Sequence, residues 1–186
     1  MKKFALMLSV AFFLTATIAH AHGPVRQKVK EKIKIDAAPD KIWSIIKDFG
    51  DISWLPAVSK TTHDGGNKKG ATRVLTLKDG GTISEELKKY KEDKMEYAYK
   101  ITDMSTVKTI KHSGADVDIK VLPVSNYAAT ITVKKKGSGS EVTWKAGFYR
   151  GYMNNKPPAE LNEDAANSAV TAVFKEGLEN LKKLAE

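Results

Sequence analysis

Arg73 and Glu85 are the two residues whose types and placing most invite chemistry. Residues 71–77 and 82–90 each alternate apolar with polar and flank Asp79-Gly80-Gly81, a hairpin signal. On that reading Arg73, Leu75 and Leu77 share a face with Ile83, Glu85 and Leu87, and the two charges lie close enough diagonally to pair. A partly buried pair can orient a ligand carboxylate or carbonyl, or tune a carboxyl group for acid/base work. It can equally be structural, each charge answering the other where a sheet cannot leave it alone. Arg150, on the inward side of the last strand, is a second ligand contact or a rim residue that snorkels. Around these stand Tyr97, Tyr99, Tyr127, Trp144 and Phe148, with Trp54 at the mouth and Phe174 on a C-terminal helix. Aromatic walls with a few polar tips suit a small hydrophobic ligand, and the same side chains can simply fill a core.

Other chemistries find little support. There is no cysteine, hence no thiolate, disulfide or Cys metal site. His22, His63 and His112 show no ligand spacing, and the last two fall in expected loops. A free amine on His22 would add a copper-chelating group, with no second histidine paired to it. No nucleophile elbow, phosphate-cradling glycine loop or Ser-His-Asp pattern occurs; Gly137-Ser138-Gly139 is turn chemistry. No catalytic residue, metal or cofactor is called for.

Lysines are abundant: Lys+Arg number 31 against 22 Asp+Glu, a formal net charge of +9. Lys108, Lys111, Lys120, Lys134, Lys135 and Lys136 gather at strand ends and in an excursion before Leu122. Such residues protect sheet edges, or form a docking face that raises the rate of association with an acidic protein. No compact arginine cluster points to nucleic acid.

The 186 residues suit one domain behind a leader. Met1-Lys2-Lys3 is a basic n-region, Phe4 to Ile18 an apolar run, and Ala19-His20-Ala21 a small-x-small cleavage site. Cleavage after Ala21 predicts residues 1–21 as a signal peptide and 22–186 as a single exported domain in the periplasm, without stable membrane insertion. About 165 residues remain, enough to bury a real core.

The elements that must position these residues follow from periodicity. Val25 to Ile35 reads as a strand, and Pro39 opens a short helix through Phe49. Residues 51–56 suggest a second helical turn leading into an extended 58–62. Two hairpin strands follow, then Met95 to Ile101, a poorly patterned excursion over 103–120 with some strand character, Tyr127 to Val133, and Val142 to Phe148. From Pro158 onward Leu161, Ala165, Ala169, Val173, Leu178, Leu181 and Leu184 trace one side of a long helix, widened by Val170 and Phe174. A one-sided helix after a run of strands needs a sheet to cover it. The expected fold is α+β: a curved antiparallel sheet wrapped around a long C-terminal helix, with two short helices after the first strand.

That order is the helix-grip arrangement, and several segments resemble the START and polyketide-cyclase-like superfamily. Ala38-Pro39-Asp40-Lys41-Ile42-Trp43 is similar to its "A-P-x-x-V-W" helix start, and Trp54-Leu55-Pro56-Ala57-Val58 to its "W-x-P-x-V" segment. Gly70-Ala71-Thr72-Arg73 with Asp79-Gly80 and Glu85-Glu86-Leu87 resembles its hairpin, and Pro123-Val124-Ser125-Asn126-Tyr127 its entry to a late strand. Within it, the leader, the lysine-rich chain and the excursion before Leu122 resemble the MxaD-like proteins, exported accessories of bacterial methanol oxidation. The resemblance implies a non-enzymatic accessory docking on methanol dehydrogenase or its cytochrome c acceptor. The alternatives are a carrier or sensor of a small hydrophobic ligand, then a cyclase-like enzyme using Glu85 with a tyrosine.

Overall fold

The computed structural model describes residues 23–186; the expected leader, its cleavage site and His22 lie outside them. Nine strands and two helices follow in order: β1 (Gln27–Ile35), α1 (Pro39–Ile46), β2 (Val58–Asp64), β3 (Thr72–Leu77), β4 (Thr82–Lys91), β5 (Glu96–Met104), β6 (Thr106–His112), β7 (Ala115–Lys120), β8 (Val124–Lys136), β9 (Gly139–Arg150) and α2 (Glu163–Ala185). Seven strands form one antiparallel sheet in the order β1-β9-β8-β5-β4-β3-β2, while β6 and β7 pair separately. The chain thus takes the α+β helix-grip architecture expected from its pattern.

Register explains the sheet's two faces. Glu31, Trp144, Ile131 and Tyr97 are successive cross-strand partners, as are Lys30, Lys145, Thr130 and Ala98 one residue away. The first row faces α2 and the second faces solvent, because side chains alternate along each strand. Tyr97, Tyr127, Ile131, Val133, Val142, Trp144 and Phe148 are accordingly buried, together with Val170, Phe174, Leu178 and Leu181 of α2.

Local chemistry sets the helix ends. Pro39 occupies the first turn of α1, where its missing N–H costs nothing. α2 starts later than Pro158 suggests: Asn162 caps it, its side chain accepting from the Ala165 N–H at 2.8 Å. Pro158 instead leads into a 3-10 turn over Ala159–Leu161. The buried stripe of α2 is Ala166, Val170, Phe174, Gly177, Leu178, Leu181 and Ala185. Leu184, expected on that stripe, is 54% exposed.

Three further differences have simple causes. Only one short helix follows β1; residues 52–57 make two successive turns, closed by Leu55 N–H to Ile52 O at 2.9 Å and Val58 N–H to Leu55 O at 3.1 Å. Pro56 lacks the donor to continue them. The excursion over 103–120 is a two-stranded hairpin, its Ser113-Gly114 turn using positive φ at both residues. β2 runs through His63 to Asp64 and β6 ends on His112, so both histidines sit on strands and not in loops, His63 opposite Arg73 and His112 opposite Ala115.

Candidate functional site

Arg73 and Glu85 are direct cross-strand partners between β3 and β4, not diagonal ones. Arg73 Nε donates to Glu85 Oε2 at 2.6 Å, and the two side chains are 0% and 6% exposed. The guanidinium also donates through Nη1 to the Phe49 carbonyl at 2.8 Å. Its plane lies over the rings of Phe49 and Tyr99, 4.2 and 5.1 Å from their centroids, favourable cation–π positions. Arg73 Nη2 is buried without a hydrogen-bond partner, as is Trp54 Nε1.

Electrostatics at this pair are set first by burial. Burial pushes the Glu85 carboxyl above its ordinary value, the attraction of Arg73 opposing it. Burial works against the Arg73 charge, but Glu85 and the neighbouring tyrosines more than offset it and hold the guanidinium charged. Tyr97 is pushed up to about 12 by burial, and burial also raises Tyr99 and Tyr127. These phenols are neutral donors at any physiological pH.

Beside the pair lies an apolar cavity of about 110 Å³ between β3–β5, the 52–57 turns and α2. Glu85, Tyr99 and Tyr127 line it with Leu75, Ile83, Ile101, Leu122 and Val173 among others. Of the residues expected to form a ligand pocket, only those first three reach it. Arg73 stands behind Glu85. Tyr97, Trp144, Phe148 and Phe174 pack into the core: Trp144 stacks on Phe174 at 4.1 Å and 12°, and its Nε1 donates to Tyr99 Oη at 3.1 Å. Trp54 is not at a mouth; it is 1% exposed and tilted against Trp144 at 5.2 Å. Sequence reasoning missed Ile52, Leu55, Ala57, Val121 and Leu122 as walls, since nothing in their local pattern says which turns fold over the sheet. Arg150 is neither ligand contact nor solvated rim: it ion-pairs with Glu163 at the start of α2 and donates to the Tyr152 and Asn154 carbonyls.

The six expected docking lysines occupy two separated places. Lys108, Lys111 and Lys120 lie on the β6–β7 hairpin, each beside a carboxylate: Glu160 at 3.6 Å, Asp116 at 2.8 Å and Asp118 at 3.9 Å respectively. Lys134, Lys135 and Lys136 end β8, roughly 30 Å along the strand from where the hairpin joins it. They therefore do not compose one surface. His112 Nε2 donates to the Lys156 carbonyl at 2.8 Å, and among the described residues no group of three or more His, Asp or Glu could hold a metal. No helix of the described residues is long and apolar enough to cross a membrane.

Comparison with known proteins bears on this geometry. The protein XoxI from Bacillus cereus shares 25% identity, with a TM-score of 0.66 over 85% of this chain and 94% of that one. An uncharacterized protein from Bacillus thuringiensis matches with 24% identity and a TM-score of 0.63 over 84% and 97%. A protein from Nitrosospira multiformis gives 20% identity and 0.63 over 86% and 97%, a likeness of fold. No curated protein sequence matches the chain. Residues 26–186 match the family described as polyketide cyclase / dehydrase and lipid transport, and the match takes in every strand and both helices. The chain belongs to that family.

Proposed function

We propose that this protein is a non-enzymatic accessory that acts by docking on an acidic protein partner in the periplasm, within bacterial methanol oxidation. The observation that carries the reading is the state of the grip interior. Its aromatics pack on one another, and the remaining cavity of about 110 Å³ is well below the ~300–1,000 Å³ of ordinary ligand pockets. The chain's cationic excess then has its use at the surface, where charge steers encounter with a partner of opposite sign. The resemblance to MxaD-like proteins names methanol dehydrogenase and its cytochrome c acceptor as the partners to try. The basic n-region, apolar run and Ala19-His20-Ala21 support export. Equilibrium binding to each purified partner at low salt tests docking, and N-terminal sequencing of the periplasmic protein, expected to begin at His22, tests export.

A second reading rests on Glu85, Tyr99 and Tyr127 lining an otherwise apolar cavity: a small neutral molecule with one hydrogen-bonding group would fit there. NMR titration with short-chain alcohols and ketones would shift Tyr99 and Tyr127 signals if it holds. Cyclase-like acid/base chemistry by Glu85 with a tyrosine has the least support, since the cavity has no room for a polycyclic substrate and Arg73 already occupies the carboxylate.

A further inference from the structure

The outer face of the sheet holds a row of cations along and beside its β1 edge. Lys28, Lys30, Lys32 and Lys34 all point outward from β1, alternating with Val29, Glu31, Ile33 and Ile35, which face the helix side. Across the register Lys28 stands opposite Gly147 and Lys30 opposite Lys145 of β9. Beyond them, on β8, come Ala128 and Thr130. Short residues at Gly147, Ala128 and Thr130 leave a shallow, open furrow of about 390 Å³, rimmed by Arg26, Lys28, Lys30 and Lys145. Arg26 is held in place by donating to the Gly147 carbonyl at 3.2 Å and by lying 5.5 Å over the Tyr149 ring.

None of these four cations lies within ion-pair distance of a carboxylate among the described residues; Lys145 feels Glu96 only at longer range, behind Lys89. On the same face Lys32 pairs with Glu141 at 2.6 Å, Lys89 with Glu96 at 2.7 Å and Lys100 with Glu86 at 3.1 Å, while Lys34 and Lys134 share the lack of an ion pair among the described residues. Like charges directly opposite on one face of a sheet are destabilising, and Lys30 against Lys145 is such a pair. Edge protection accounts for lysines on β1, one of the sheet's two edge strands. It does not account for Lys145, which lies on the covered strand β9, or for Arg26 ahead of the strand.

Resting on the docking reading above, we propose that this furrow is the docking face and that its partner is an acidic protein surface offering a protruding run of carboxylates. The furrow's floor is small and level, so a protruding segment can enter it and meet four unpaired cations at once. A lipid surface is a poorer fit, because membrane-surface binding needs apolar side chains to insert beside the charges. Among the large apolar residues exposed in the described chain, Val25 alone adjoins this face in sequence.

The test compares Lys28→Glu/Lys30→Glu/Lys145→Glu with Lys108→Glu/Lys111→Glu/Lys120→Glu, after circular dichroism and thermal melting show both folded. Association with purified methanol dehydrogenase and with its cytochrome c acceptor is followed at low and high salt. The furrow triple is expected to associate at least about tenfold more slowly than wild type at low salt, with the difference closing at high salt. The hairpin triple is expected to stay within about twofold, its lysines being already neutralised locally. Should the furrow triple misfold, Lys30→Gln/Lys145→Gln, which removes repulsion, is expected to show the same slowing in smaller measure. A furrow variant that associates like wild type while the hairpin variant is slowed overturns the choice of face and leaves docking standing. A wild type that binds neither protein at low salt overturns docking itself. Wild-type binding to phosphatidylglycerol vesicles, lost in the furrow triple and accompanied by no protein association, overturns the partner class.

Discussion

Trp144 and Gly177 should behave as one packing unit, and a double-mutant cycle can measure it. Trp144 is 2% exposed and its ring sits on Phe174. Losing about 200 Å² of buried aromatic surface at ~25 cal/mol/Å² sets an upper limit near 5 kcal/mol. Trp144→Ala is therefore expected to cost roughly 3–5 kcal/mol. Gly177 lies in the middle of α2, where alanine would ordinarily be better by about 1 kcal/mol. A Cβ there would stand 2.9 Å from Trp144 Cζ3, 2.8 Å from Leu55 Cδ1 and 3.2 Å from Trp54 Cζ3. Gly177→Ala alone should then cost roughly 1–3 kcal/mol as overpacking exceeds the helix gain. With Trp144 already removed, Trp54 and Leu55 can move into the void, and the same change should be neutral or stabilising. The coupling expected from urea unfolding by circular dichroism is at least about 1.5 kcal/mol. Lys145→Ala, one residue away on the solvent face opposite Lys30, should change stability by less than about 0.5 kcal/mol. Additive effects at 144 and 177, or equal costs at 144 and 145, would refute the packing and the register together.

Arg73→Met should cost roughly 3–5 kcal/mol, because it strands a buried carboxyl, while Arg73→Met/Glu85→Met should recover much of that loss; urea midpoints that rank the double below the single would contradict a paired buried charge. Burial raises the Glu85 carboxyl above the ordinary 4.5, so the folded state binds the extra proton and stability falls as pH rises from that value through the raised one. Glu85→Gln should flatten this fall without touching the acid limb, where Glu86, Glu92 and Glu96, all held below the ordinary value by hydrogen-bonding partners, lose their contribution as pH drops. Tyr97, at about 12 against an ordinary 10.0, contributes to a second loss of stability as pH rises between those values, and Tyr97→Phe should lessen it in a pH-dependent melting series, the raised Tyr99 and Tyr127 supplying the rest.

Much of the fold was legible because strands buried on one side carry a period of two. Tyr127 to Val133 and Val142 to Phe148 declare their inward residues without ambiguity; Arg73 and Glu85 were placed on one face correctly, but diagonally where the register sets them directly opposite. The phase of α2 was harder. Ala165 and Ala169 score as apolar, yet methyl groups leave a helix face undecided, and the large residues Val170 and Phe174 set which side turns inward. The capping role of Asn162 was hidden by the more conspicuous Pro157-Pro158. The β6–β7 hairpin alternates lysine and threonine with scattered valine and isoleucine, since neither of its faces joins the main core. The cavity walls came from turns whose packing is a tertiary matter, and the outward row Lys28, Lys30, Lys145 became visible only once register placed β1 beside β9.

Docking through surface charge is tested most directly by the association rate with purified methanol dehydrogenase and its cytochrome c acceptor, followed by stopped flow as salt is raised. At low ionic strength the wild-type rate with one of them is expected to exceed the ~10⁵–10⁶ M⁻¹s⁻¹ of uncharged encounters. It should fall at least about tenfold as the screening length shortens toward about 8 Å. A rate indifferent to salt, or no association with either protein at low salt, would contradict a protein that works from its cationic surface.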